Sequence, residues 1–290
     1  MYTTTNLTTT TVGQSTATVL GYTEHPGTKK RIITWELLYP RYIHSEFMTH
    51  RVFSRNASSS RATPVTTLIE EVRKRPVYFD EVRLNQRGMT GGELVDPATE
   101  KSFHYLWMQG AQVAATIAEQ MAKLGVAKQT ANRILEPFLP IRVIVTATDT
   151  DNFFALRLAE DAQPEIRNLA KAMAESRVKS CCVKDTIHMP YAAYFDDEPD
   201  VASTAVRCIA ACARVSVARG DGKATTYAED EALVKRLAKS RHMTPFEHVA
   251  VATMGWERVA NFDCWRSVRS CLEDDRSMPE ISGLMERLHD

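Results

Sequence analysis

Residues 49–61, Thr-His-Arg-Val-Phe-Ser-Arg-Asn-Ala-Ser-Ser-Ser-Arg, hold the densest set of chemically useful groups in the chain. Ser58, Ser59 and Ser60 offer hydroxyls and backbone N–H groups, and Arg61 adds a guanidinium fork, a combination suited to a phosphate monoester. Over residues 40–62 four arginines (41, 51, 55 and 61) stand against Glu46, a local charge of about +3. The same residues also read as a solvated turn in which one serine caps the next helix. Two further arginines lie beside apolar residues: Arg133 next to Ile134 and Leu135, and Arg157 at the end of Asn152-Phe153-Phe154-Ala155-Leu156-Arg157. Each must either snorkel to water or find a fixed anionic partner.

Other chemistries have less support. Cys181 and Cys182 are adjacent, Cys208 and Cys212 lie one helical turn apart, and Cys264 and Cys271 stand alone. No C-x-x-C pair occurs, so a zinc site or a disulfide framework is not expected, and Cys208 and Cys212 read as small core residues. Neither G-x-G-x-x-G nor a Walker motif is present. The 36 basic and 36 acidic side chains cancel, which argues against a general polyanion binder. No apolar run is long enough to span a bilayer, and the Thr-rich start lacks the pattern of a signal peptide. A soluble, cytoplasmic protein is the expectation, in a host's cytoplasm if the source is viral.

These groups need a scaffold. Nine of the first 18 residues are Thr, so residues 1–30 read as a flexible arm. A strand is expected at 32–39, a short helix at 40–50, a polar loop at 51–63 and a helix at 65–74. The spacing of Phe103, Leu106, Trp107, Val113, Ile117 and Met121 predicts a long helix at 99–124, closed by Gly125. Further helices are expected at 127–136, 150–158, 164–179, 201–213, 228–240 and 259–271, with strands at 141–148 and 246–254. The resulting class is α+β, with a central antiparallel or mixed sheet flanked by helices. Residues 31–271 form one catalytic domain in this reading, and 272–290 an acidic tail.

Three blocks together resemble the flavin-dependent thymidylate synthases. That family carries Arg-His-Arg, seven residues, Ser, and an Arg two positions later; here His50-Arg51 precedes Val52–Ser58, Ser59 and Arg61. Arg133-Ile134-Leu135-Glu136-Pro137 and Asn152 through Arg157 are similar to its second block, and Ala162-Gln163-Pro164-Glu165-Ile166 to the segment after it. Ala213-Arg214-Val215-Ser216 and His242-Met243-Thr244-Pro245-Phe246-Glu247-His248 are similar to a third block, which in usual members comes first. The chain thus resembles a circularly permuted member.

The resemblance implies roles by position. His50, Arg51, Asn152, His242 and Thr244 match positions that contact FAD. Ser59, Ser60, Arg61 and Arg133 match those that hold the nucleotide phosphate and sugar, and Glu46 stands where a Gln contacts substrate. Arg157 matches the catalytic arginine facing the pyrimidine, where a guanidinium stabilises developing enolate-like charge without titrating. Thr49 replaces the first Arg of the triplet, and Ala57 stands where the family often has Glu. Near a base, the Glu46 carboxylate could accept a hydrogen bond from an exocyclic amine.

The implied activity is transfer of methylene from 5,10-methylenetetrahydrofolate to C5 of dUMP, with reduction by FADH2 regenerated by NADPH. The alternative is methylation or hydroxymethylation of another pyrimidine deoxynucleotide, dCMP or dUMP. A nucleic-acid-binding module is disfavoured because no aromatic platform is interleaved with the basic residues and a Ser-rich loop suits a monoester better than a duplex. Partners are then small molecules, with no nucleic acid and no membrane, and the resemblance implies a homotetramer.

Overall fold

Alternating β-branched residues build the sheet that carries the serine loop. The computed structural model describes residues 7–88, 90–215 and 224–289. β1 (Thr8–Val12) and β2 (Ser15–Glu24) form an antiparallel hairpin, and β2 pairs with β3 (Arg31–Pro40). These strands correct the expected flexible arm, whose first six residues lie outside the described ones. A run of Thr is polar, but each Thr is β-branched and favours extended backbone. Thr9 meets Thr18 at 2.9 Å and Thr11 meets Thr16 at 3.0 Å across the hairpin, while Ala17 and Val19 face the core. Gly13 makes the turn at φ +55°, where a Cβ would lie 2.6 Å from Asp80 Oδ2.

After β3, a 3₁₀ turn (Arg41–Ile43) and α1 (His44–Met48) lead into β4 (Ser54–Ala57). β4 occupies part of the segment expected to be a loop, because pairing with the neighbouring strand outweighs its polar composition. α2 (Val65–Lys74) and α3 (Pro97–Lys123) follow, then α4 (Lys128–Ala131), which passes into a 3₁₀ segment, Asn132–Phe138, that contains Pro137. β5 (Pro140–Ala147), α5 (Asp151–Arg157) and α6 (Pro164–Lys179) lie where the sequence placed them. The strand order is β1-β2-β3-β5-β4, with a short β6 (Val183–Lys184) added parallel to β2, so the sheet is mixed and the class is α+β. α6 covers one face and buries Ile166, Leu169 and Met173 against Trp35, Leu37 and Val143.

α3 forms, but its buried side is not the stripe of large residues. Ala111, Ala114, Ala115 and Ala118 pack against α2, whereas Leu106 is 68% and Val113 56% exposed. Small residues allow the two helix backbones to approach closely, and that contact decides which side turns inward.

The C-terminal half contains β7 (Ile187–His188), α7 (Val201–Arg214), α8 (Tyr227–Lys239), β8 (Ala250–Ala252), β9 (Arg258–Val259), β10 (Phe262–Asp263), β11 (Trp265–Ser267), α9 (Val268–Glu273) and α10 (Leu284–His289). The helix expected at 259–271 is corrected to a β9–β10 hairpin, β11 and a short α9. Ala260 at φ 51° and Cys264 at φ 64° are left-handed and interrupt any helix there. The expected acidic tail is corrected too: Met278, Ile281, Leu284 and Leu288 enter the core formed by α7, α8 and α9. Its acidic residues from Glu273 to Glu286 are exposed, and Arg287 bonds Tyr227 Oη at 2.9 Å and Asp200 at 3.0 Å. Cys208 and Cys212 are fully buried.

Buried polar side chains join the two halves in one line. Thr23 Oγ1 meets His188 Nδ1 at 2.9 Å, and His188 Nε2 meets Thr34 Oγ1 at 2.7 Å. Thr34 then meets Thr146 at 2.6 Å, and Thr146 meets His248 Nδ1 at 2.9 Å. The third sequence block thereby seats against the centre of the N-terminal sheet, with its 3₁₀ turn (Thr244–Glu247) on β4.

Candidate active site

Two groups of side chains flank β4. At its N-terminal end, His50 is buried among Phe47, Phe53 and Phe153, the last at 4.9 Å between centroids and edge-on. Arg55 Nη1 donates to the carbonyls of Met48 and His50, both at 3.1 Å, and fixes the turn out of α1. Arg157, from α5, donates through Nε to His50 Nε2 at 3.0 Å and through Nη2 to Thr49 Oγ1 at 3.3 Å. A guanidinium can only donate, so His50 Nε2 accepts and the ring is neutral with its proton on Nδ1. Burial, then the charges of Arg157 and Arg55, hold the His50 pKa down at about 4. Glu46, half-buried on α1, accepts from Ser45 Oγ at 2.9 Å.

At the other end of β4 the serine loop opens on a cavity of about 770 Å³, a size typical of small-molecule sites. The loop is rigid. Ser58 N donates to Arg142 O at 2.8 Å, and Arg142 N returns a bond to Ser58 Oγ at 3.1 Å. Fully buried Asn132 donates to the carbonyls of Ser60 and Thr63 at 2.7 and 3.1 Å, and Ser60 Oγ donates to Glu136 at 2.5 Å.

Ser58, Ser59 and Ser60 line the cavity with Arg41 and Glu71, and Tyr191, Tyr194, Phe195, Arg207 and Arg214 of the C-terminal half line it too. Tyr191 Oη donates to Glu36 at 2.7 Å, and Glu36 also pairs with Arg142. Arg207 lies over the Phe195 ring at 4.7 Å and forms an ion pair with Asp230, which also pairs with Arg214.

The structure thus brings Ser59 and Ser60 into one cavity, and His50, Thr49, Glu46 and Arg157 into a separate cluster. Arg61 and Arg133 join neither group: both are exposed, and Arg133 is held by Glu136 at 2.9 Å. Arg51, Asn152, His242 and Thr244 are exposed, with no side-chain hydrogen bond recorded among the described residues. Ser216, the last residue of the third block's first motif, lies outside the described residues. Sequence reasoning missed Arg41, Glu71 and the Tyr191–Phe195 wall. Arg41 contributed to the local charge, but no spacing marked it, and the aromatic wall belongs to a stretch without periodicity.

Comparison with protein families matches residues 23–181, more than half of the chain, to the family described as thymidylate synthase complementing protein. The chain belongs to that family. The matched span runs from β2 through α6 and carries the first two sequence blocks; the third block lies beyond it. Two solved structures of the UMP/dUMP methylase PolB from Streptomyces cacaoi are similar to this family member. The one bound with 5-Br UMP is 14% identical, covers 57% of this chain and 89% of its own, and has a TM-score of 0.45. The one bound with 5-Br dUMP is 19% identical, covers 51% and 67%, and has a TM-score of 0.40. No curated protein matches this chain. Among the described residues no helix is long and apolar enough to cross a membrane.

Proposed function

We propose that this family member is a flavin-dependent thymidylate synthase, converting dUMP to dTMP with 5,10-methylenetetrahydrofolate as methylene donor and NADPH as the source of reducing equivalents. The observation that carries this reading is the hydrogen-bonded Ser58–Ser60 loop opening on a cavity of about 770 Å³, within the span matched to the family. Preformed hydroxyls and N–H groups favour a phosphate because their ordering cost is met in folding.

Arg157 does not line that cavity. The four residues of β4 alone separate the two groups by about 13 Å, taking about 3.3 Å per residue. The family resemblance implies a homotetramer with shared sites, and with the two groups at opposite ends of β4 a nucleotide held by the serine loop of one subunit would meet Arg157 of another. There Arg157, held by His50, would stabilise the negative charge that develops on the pyrimidine as C5 attacks methylene.

The donor set fits a flavin. Arg51, Asn152, His242 and Thr244 present a guanidinium, an amide, an imidazole and a hydroxyl to solvent, each uncommitted among the described residues. These groups match the phosphates and the polar ring edge of FAD. A bound flavin supplies hydride; the protein's own residues bind, orient and polarise. The seating of the third block on β4 and Thr146 supports a circularly permuted order of the family's blocks.

Glu46 favours a second reading. A carboxylate where the family has Gln suits an exocyclic amine, so dCMP is the competing substrate and hydroxymethylation the competing outcome. Incubating the flavin-loaded protein with dUMP or dCMP, methylenetetrahydrofolate and NADPH, then weighing the product, separates these: methyl and hydroxymethyl differ by one oxygen. Absence of flavin uptake would sink both.

A further inference from the structure

Five arginines lie in or beside the cavity, and four already have partners. Arg142 pairs with Glu36, Arg207 with Glu198 and Asp230, Arg214 with Asp230, and Arg133, outside the lining, with Glu136. Arg41 differs. It lines the cavity beside Ser58–Ser60 and makes no side-chain hydrogen bond or ion pair among the described residues. Its Nε is buried without a hydrogen-bond partner, as is that of Arg207, but Arg207 Nε has the carboxylates of Asp230 and Glu198 at 3.2 and 3.4 Å. Glu136 and Glu71 act on it only through space, and burial lowers its pKa. A buried guanidinium N–H left unpaired is costly, and here it stands where an anion could satisfy it.

Its backbone is also fixed. Arg41 N donates to Leu139 O at 3.0 Å, directly after β3 ends at Pro40, so the side chain starts from a rigid point of the sheet.

We propose that Arg41, rather than Arg61 or Arg133, is the cation that binds the phosphate monoester of the nucleotide, acting with the Ser58–Ser60 loop. The proposal rests on the nucleotide reading above and adds a residue that sets specificity for nucleotide over nucleoside. Glu71, which shares the lining, disfavours any anion that does not reach the guanidinium.

Titration calorimetry with dUMP and deoxyuridine on the flavin-loaded protein tests this. Wild type should bind dUMP more tightly than deoxyuridine, and R41Q should shrink that ratio by about 10- to 100-fold, the range for one charge-assisted hydrogen bond. R41K should keep part of it. In wild type, the Arg41 ¹⁵Nε resonance should shift with dUMP and stay in place with deoxyuridine, a readout independent of any variant's folding. An R41Q ratio equal to wild type, or an Arg41 signal indifferent to dUMP, overturns the role of Arg41 and leaves the nucleotide reading standing. A wild-type protein that binds neither dUMP nor dCMP overturns both.

Discussion

Arg157 Nε donates to His50 Nε2 at 3.0 Å, and this one bond decides which proton the imidazole carries. Removing the guanidinium takes away both the donor and a nearby positive charge. In an R157Q variant the His50 pKa should rise from about 4 toward its ordinary 6.5. Burial, the larger cause, remains, so the rise should be incomplete. Titration of the His50 ring by NMR measures this. R157A should abolish turnover while FAD stays bound; unchanged activity refutes the assigned role.

The proposed sharing of sites between subunits predicts complementation. S59A impairs the serine loop and R157A the other cluster, so homo-oligomers of either should be nearly inactive. Co-refolded mixtures should regain about a quarter of wild-type activity if random assembly restores one intact site in four. Mixtures no more active than their components would show that each subunit uses its own loop and its own arginine.

Asn132 should matter beyond its distance from any reacting atom. N132A strips the carbonyls of Ser60 and Thr63 of their donor, costing about 1–3 kcal/mol for buried groups left unsatisfied. The loosened loop should raise KM for the nucleotide more than it lowers kcat. Denaturation midpoints and steady-state kinetics check the two halves of this statement.

Acid should weaken the fold through His188 and His248. Burial lowers each pKa from 6.5 to about 3, so the folded protein keeps both neutral while the unfolded chain takes up protons. The stability they permit is complete above about pH 6.5 and falls as the pH drops toward 3. The loss approaches about 1.4 kcal/mol per pH unit for each histidine. Urea denaturation across pH 7 to 4 measures the slope, and H248Q should show a shallower one.

Leu284 distinguishes a buried helix from a solvated tail. It is fully buried in the core formed by α7, α8 and α9, so L284A should cost about 2–5 kcal/mol. A change below 0.5 kcal/mol, as expected of a surface position, would restore the tail.

Legibility in the sequence followed the kind of signal. α2 and α6 were placed by Pro64 and Pro164 at their starts and by apolar spacing, and β5 by its β-branched run. The Thr hairpin was hidden because polarity and strand propensity point opposite ways in threonine. Residues 259–271 failed because the left-handed Ala260 and Cys264 carry no sequence mark. Within the site, Ser59 and Ser60 were legible as part of the Ser-Ser-Ser-Arg run and through the family resemblance. Arg41 was not, since its environment comes from Leu139, Glu136 and Glu71, far away in sequence.

The Thr23–His188–Thr34–Thr146–His248 line has one more consequence. It joins surfaces that are distant in the chain but covalently connected, so their association does not weaken on dilution as that of separate subunits does. A tether of this kind holds its partner at an effective concentration on the order of millimolar. The aromatic lining of Tyr191, Tyr194 and Phe195 consequently shares the cavity with the serine loop in every molecule, whatever the protein concentration.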